Sequence, residues 1–286
     1  MMNRFFSAVC LAGVCLWTSG CGEMKGGAYG DTSVTVLPSD AATEAIPASG
    51  GGGGASESAA EGIGSIKGRV VFQGSRIDLA PIVEKGANVK DAETCSQDTI
   101  PDEKLQLSGD LGVKNVYVYL SKKPRGYKDA PPSEPVIFDQ KGCRFFPYCS
   151  FVRVGQPLLV LSDDPILHNT HTYPNKNDAF NESIAPKNRE GVAINYSAAE
   201  STPFAVKCDF HAWMTAYHFP IDHPWIALTN DNGEFEIKDL PAGKHDFKVW
   251  HPGAEGGYVH RKFKITVKAD ATEEVEIPYA ASKFAG

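Results

Sequence analysis

The chain reads as an all-β protein, and three features carry that reading. Short runs of alternating apolar and polar residues recur along it, turn-forming residues separate them, and no stretch sustains the 3.6-residue period of an amphipathic helix. In chain order the runs are Ser65 to Phe72, Val113 to Leu120, Pro157 to Leu161, Phe204 to Cys208, Tyr217 to Ile221, Glu234 to Ile237, Asp246 to Trp250 and Arg261 to Val267. The first contains Ile66-Lys67-Gly68-Arg69-Val70-Val71 and the second Val116-Tyr117-Val118-Tyr119-Leu120, each with β-branched or aromatic residues of the kind a pleated surface favours. Asp231-Asn232-Gly233 falls between two apolar runs and is a hairpin signal, and Leu240-Pro241-Ala242-Gly243 marks a further turn.

Two segments precede the first run. Residues 1–21 read as a bacterial lipoprotein signal: Arg4 gives a positive start, Phe5 to Trp17 an apolar stretch too short to span a bilayer, and Ser19-Gly20-Cys21 a small-residue cleavage site. Cys21 is then the lipidation site, with ordinary secretion as the alternative. Residues 22–63 are rich in Gly, Ala, Ser and Thr, include five consecutive glycines from Gly50 to Gly54, and have no hydrophobic pattern able to offset the entropy of ordering. They read as a flexible linker with a root-mean-square reach of roughly 35 Å. The mature chain is expected in the cell envelope as a periplasmic or outer-surface lipoprotein, held to the membrane by its lipid.

The most specific chemistry lies in Cys208-Asp209-Phe210-His211-Ala212-Trp213-Met214, where a thiol, an imidazole and a thioether fall within seven residues. Soft sulfur ligands with neutral imidazole select copper, and two histidines, one cysteine and a weak methionine form the blue-copper electron-transfer set. The missing histidine is assigned to His168 in Pro165-Ile166-Leu167-His168-Asn169, at the end of an apolar run that reads as a buried strand. Zinc and haem lack their signatures, since the chain has no C-x-x-C and no C-x-x-C-H. Neither a Ser-His-Asp spacing nor an H-E-x-x-H helix points to an enzyme. His171 is expected to face the same side as His168 in a supporting or solvent role, while His218, His223, His245, His251 and His260 serve strands and turns.

From Phe138 to Pro220 these residues resemble a cupredoxin: Phe146-Pro147, Val152-Arg153-Val154-Gly155-Gln156 as the first strand, the His168-Asn169 pair, then a Cys-x2-His-x2-Met loop similar to that of amicyanin. Over the globular part the chain is similar to cupredoxin-containing proteins labelled methylamine utilisation protein-like. It shares with them Gly142-Cys143, Cys208-Asp209-x-His211-x-Trp213-Met214, Asp222-His223-Pro224, Leu240-Pro241-x-Gly243 and Trp250-His251. The resemblance implies a Greek-key sandwich or barrel over residues 133–222 holding one type 1 copper on His168, Cys208, His211 and Met214. It implies outer supporting roles for Asn169 and Trp213, and His211 as the electron port, reaching the surface through a collar that includes Ala212, Trp213 and Pro147. Pro147 is followed by Tyr148 where relatives often carry His, which leaves that position without a metal role. The remaining strands resemble a carboxypeptidase regulatory-like, transthyretin-type sandwich over 64–122 plus 225–281. The cupredoxin is then an insertion; a tandem in which Ser65 to Leu120 supplies its first strands is the alternative.

Seven cysteines are present. Cys10 and Cys15 leave with the signal, Cys21 would carry lipid and Cys208 metal, so Cys95, Cys143 and Cys149 leave one disulfide and one free thiol. The resemblance pairs Cys95 with Cys143, while the count alone leaves Cys149 open as a partner of either.

Removing Arg4 with the signal takes the net charge from −7 to −8, with carboxylates at Asp163, Asp164, Asp178, Glu182 and Glu190 expected on the surface. An acidic chain without a basic stripe disfavours nucleic acid and suits a basic redox partner, such as a c-type cytochrome or another electron donor or acceptor. The functional expectation is an exported, membrane-tethered carrier of single electrons and not an enzyme. The alternatives are a surface binding or scaffold protein with an empty cupredoxin module, and a copper storage or delivery protein.

Overall fold

The structure is a computed structural model that describes residues 62–285. The signal, Cys21 and nearly all of the linker expected over 22–63 lie outside the described residues. The protein is all-β. In chain order the strands are β1 (Ile63–Gln73), β2 (Tyr117–Leu120), β3 (Val136–Gln140), β4 (Phe145–Phe146), β5 (Cys149–Arg153), β6 (Pro157–Val160), β7 (His168–Thr172) and β8 (Asn181–Ile184). They continue with β9 (Val192–Asn195), β10 (Phe204–Lys207), β11 (Thr215–Ile221), β12 (Ile226–Leu228), β13 (Glu234–Pro241), β14 (Gly243–Trp250), β15 (Tyr258–Val267) and β16 (Thr272–Ala280). One short helix, α1 (Ala92–Cys95), lies between β1 and β2.

Strands from both ends of the chain share two sheets, β13-β1-β16 and β12-β2-β14-β15. Alternation drives this: Ile66, Val70 and Phe72 of β1 point inward and join Val118, Phe235, Phe247, Ile265 and Ile277 in one core. Gly68 lets the neighbours close in, because a Cβ there would sit 2.6 Å from Val275 and 2.7 Å from the Phe235 ring. The middle of the chain builds two other sheets, β5-β11-β10-β7-β8 and β4-β3-β6-β9. Phe138, Leu158, Val160, Ile184, Val206 and Ala216 are among the residues that fill the space between them.

Two features join these halves. The stretch between β1 and β2 leaves the outer sheets, places Val83, Cys95 and Ile100 in the middle core, and returns. Tyr117, Tyr119, Trp250 and Ile226 of the outer sandwich meet Cys149, Phe219 and Ile221 of the middle one in a third buried cluster. There the Tyr117 hydroxyl lies 3.1 Å from the Ser150 carbonyl and 3.0 Å from that of Tyr217.

The structure departs from the sequence reading in four places. The run expected from Val113 pairs as a strand only from Tyr117, because Asn115 takes a positive φ of 63° and breaks the extended backbone. The apolar run before His168 is a loop with Leu167 45% exposed, and His168 opens β7 rather than ending a strand. β16 was masked in the sequence by Pro278, which is tolerated because this strand lies at the edge of its sheet. The Asn232-Gly233 turn is closed by Asn230 N–H to the Glu234 carbonyl at 3.0 Å, but its flanking strands then go to different sheets.

Candidate metal centre

β10 and β11 are hydrogen-bonded neighbours, and the chain between them turns back within Cys208 to Met214. The turn is pinned by Met214 N–H to the His211 carbonyl at 2.9 Å and by Cys208 N–H to the Met214 carbonyl at 3.2 Å. β7 lies on the other side of β10, so His168 at its first residue is delivered to the same end of the sandwich. The structure thus brings His168, Cys208 and His211 together, with every ligand atom within 4.8 Å of the others. His168 Nδ1 and His211 Nδ1 are 3.0 Å apart, and Cys208 Sγ lies 3.9 Å from the first and 3.7 Å from the second. Met214 is 2% exposed in the same core.

The two sulfur–nitrogen separations are close to the roughly 3.8 Å that metal bonds of about 2.0–2.1 Å to imidazole and about 2.3 Å to thiolate would give at trigonal angles. The nitrogen–nitrogen separation of 3.0 Å is about 0.5 Å shorter than such a metal would set. The remote edges of the rings strengthen the case. His168 Nε2 is 2.9 Å from Asp164 Oδ2, and His211 Nε2 is 2.9 Å from Asp91 Oδ2. A carboxylate can only accept, so each Nε2 carries a hydrogen, and in the neutral ring, the form that binds a metal, each Nδ1 presents a lone pair inward. Two lone pairs and a sulfur then face one point in a site closed to water, with both imidazoles 0% exposed. Such a site needs a cation, and the donor set fits a copper ion.

Without a metal, a shared proton must relieve the same repulsion, and the titration of the groups follows. Burial acts to raise the Cys208 thiol, yet hydrogen bonds with His168 and His211 outweigh it and bring it down to about 6. Burial acts to lower His168, but the Asp164 carboxylate and Cys208 raise it overall. Asp164 is held below the usual carboxylate range against its own burial, by His168 and by the backbone of Cys143 and Gly142. Its oxygens accept the Gly142 N–H at 2.6 Å and the Cys143 N–H at 2.8 Å. Gly142 and Cys143 both adopt positive φ, 59° and 55°, which turns successive N–H groups toward one anion.

The other predicted residues are placed as follows. Asn169 donates to Asp209 Oδ2 at 2.7 Å and accepts from the Asp209 N–H at 2.6 Å, tying the start of β7 to the ligand turn. Trp213 Nε1 donates to the Cys143 carbonyl at 3.2 Å, and its ring lies 5.3 Å from that of His211. Cys95 and Cys143 form a disulfide, and Cys149 is a buried free thiol. Three expectations need correction. His211 does not emerge at the surface; the segment bearing Asp91 covers it. Asp164, expected as a surface charge, is 4% exposed and buttresses His168. His171 lies three residues from His168, so β-strand alternation turns it to the opposite face, where it bonds Asp209 at 3.1 Å and stacks on Tyr173. Sequence reasoning missed Asp91 and the inward role of Asp164. Only the second left a local trace, four residues before His168.

No family model matches the chain, and no curated protein does. Solved structures do. A copper-containing nitrite reductase from Thermus scotoductus matches over 35% of this chain and 25% of its own, at 16% identity and a TM-score of 0.28, so this chain spans about a quarter of that protein. Amicyanin from Paracoccus versutus matches over 36% of this chain and 97% of its own, at 16% identity and a TM-score of 0.27. A purple cupredoxin from Nitrosopumilus maritimus matches over 30% of this chain and 98% of its own, at 14% identity and a TM-score of 0.25. The overlaps are partial, and the reading of the site rests on its own donors.

Proposed function

We propose that this chain is an exported carrier of single electrons, in which His168, Cys208 and His211 would hold one copper ion and Met214, buried in the same core, would supply a further, weaker sulfur ligand. The observation that supports this most is the convergence of two Nδ1 atoms and one Sγ in a buried site, with both remote nitrogens bound to carboxylates. Bound copper would supply the one-electron couple. The protein's part is to keep the donors still: each imidazole is fixed at both nitrogens, and the Cys208 turn is clamped to β7 through Asn169 and Asp209. Little then has to rearrange when the charge changes.

The rest of the reading concerns where the carrier works. The Cys95–Cys143 disulfide supports an oxidising compartment, and Ser19-Gly20-Cys21 supports attachment through lipid on Cys21. Mass spectrometry of the mature N-terminus tests that attachment, and an unmodified terminus elsewhere reduces it to secretion. The partner is a redox protein of the c-type cytochrome kind or another donor or acceptor, met beside the membrane by a tethered acidic domain.

The functional test is the visible spectrum of copper-loaded protein. An intense thiolate-to-metal charge-transfer band should bleach with a reductant and return on oxidation. Tight binding of one copper with no such band at any stage contradicts electron transfer and leaves storage or delivery.

A further inference from the structure

Asp91 stands immediately before α1 at φ 53° and ψ 41°, a left-handed conformation that is uncommon outside glycine and that Asp and Asn adopt more readily than other residues. An aspartate in this place ordinarily accepts N–H groups of the first helical turn with its side chain. Asp91 makes no such bond. Its backbone carbonyl does the capping, accepting from Thr94 N–H at 2.9 Å and Cys95 N–H at 2.8 Å. The carboxylate is free to reach 120 residues along the chain to His211 Nε2. The segment is anchored there independently, by the Cys95–Cys143 disulfide and by Val83 and Ile100 in the middle core. His211 is 0% exposed, whereas the Asp91 side chain is 40% exposed, so the outer edge of the ligand meets solvent only through this carboxylate.

On the reading that His211 is a metal ligand, we infer that Asp91 is a positioning residue of the centre: it fixes the Nε2–H form of His211, seals that edge from water, and biases the site toward the more highly charged metal ion. The bias follows from charge. Asp91, Asp164 and the Cys208 thiolate place three anionic groups around one cation, and they favour Cu(II) over Cu(I). Asp164 is buried and locked to the Gly142–Cys143 backbone, whereas Asp91 is partly exposed and forms the boundary between centre and solvent.

Two measurements test this. In the full chain loaded with Zn(II), the His211 Nε2–H resonance should be present and exchange slowly with solvent, while exchange as fast as that of an exposed histidine overturns the inference. In Asp91→Asn, Cu(II) affinity should fall roughly 10–100-fold with a smaller loss for Cu(I), so the reduction potential rises, whereas Glu93→Gln on the exposed side of α1 changes neither. Equal Cu(II) and Cu(I) affinities in Asp91→Asn and the native chain also overturn it. The zinc measurement is made on native protein, so it stands even if Asp91→Asn does not fold. Because it does not use the charge-transfer band, a native protein lacking that band would sink the electron-carrier reading while leaving this inference to be decided separately.

Discussion

Cys208 and Cys149 are both buried free thiols, yet their surroundings set them apart. Two imidazoles bring the Cys208 thiol down to about 6, whereas burial pushes the Cys149 thiol up. Cys208→Ser should therefore abolish the charge-transfer band, and Cys149→Ser should leave it in place; a band lost in Cys149→Ser would move the thiolate to the wrong residue. At this scale the ligand types were legible because three of them lie within seven residues of sequence, and copper's preference for soft donors gave the set a meaning. The carboxylates behind them were not. Asp91 meets His211 across 120 residues, through a left-handed backbone and a loop with no periodicity, and neither feature leaves a pattern in the chain.

At the scale of elements, the stretch from β1 to β2 is a strap across the site. Its disulfide joins residues 48 apart, and closing a loop of that length removes unfolded-state entropy worth about 4 kcal/mol in the chain-entropy model. The Cys95→Ser/Cys143→Ser double variant should lose about 2–5 kcal/mol of unfolding free energy. It should also bind copper more weakly, because Asp91 is delivered by the helix that this bond secures. Loss of stability with unchanged copper affinity would show that the strap only staples the fold. Most strands were readable because apolar residues recur at alternate positions, as Ile66, Val70 and Phe72 do in β1. β8 was not, since Asn181-Glu182-Ser183-Ile184 buries only Ile184, and β16 was hidden by Pro278 at a sheet edge.

Over the whole molecule, three buried histidines outside the candidate ligand set contribute to the response to acid. Burial lowers His218 and His251 to about 3, and burial with weaker opposing contacts lowers His223 to about 4. In the fold they are neutral, whereas the unfolded chain takes up protons below about 6.5. Their contribution is therefore present above pH 6.5 and is lost as pH falls, toward about 4 for His223 and about 3 for His218 and His251, by at most about 1.4 kcal/mol per pH unit for each group. The metal-free protein should show a lower urea midpoint at pH 5 than at pH 7, and His218→Phe should reduce that dependence by one proton. A midpoint that is flat between those values would contradict the buried neutral state. That these histidines would serve the fold was readable from their places in strands and turns. Their depth was not, because it depends on partners such as Tyr196, whose hydroxyl meets His218 Nδ1 at 2.9 Å.

The central claim is that one thiolate and two imidazoles, from His168, Cys208 and His211, share a single metal. X-ray absorption at the copper edge of the fully loaded protein tests it most directly. The account predicts one short sulfur at about 2.2–2.3 Å and two imidazole nitrogens at about 2.0 Å, with the sulfur lost in Cys208→Ser. A shell of nitrogen and oxygen alone, or a short sulfur that survives Cys208→Ser, would contradict it.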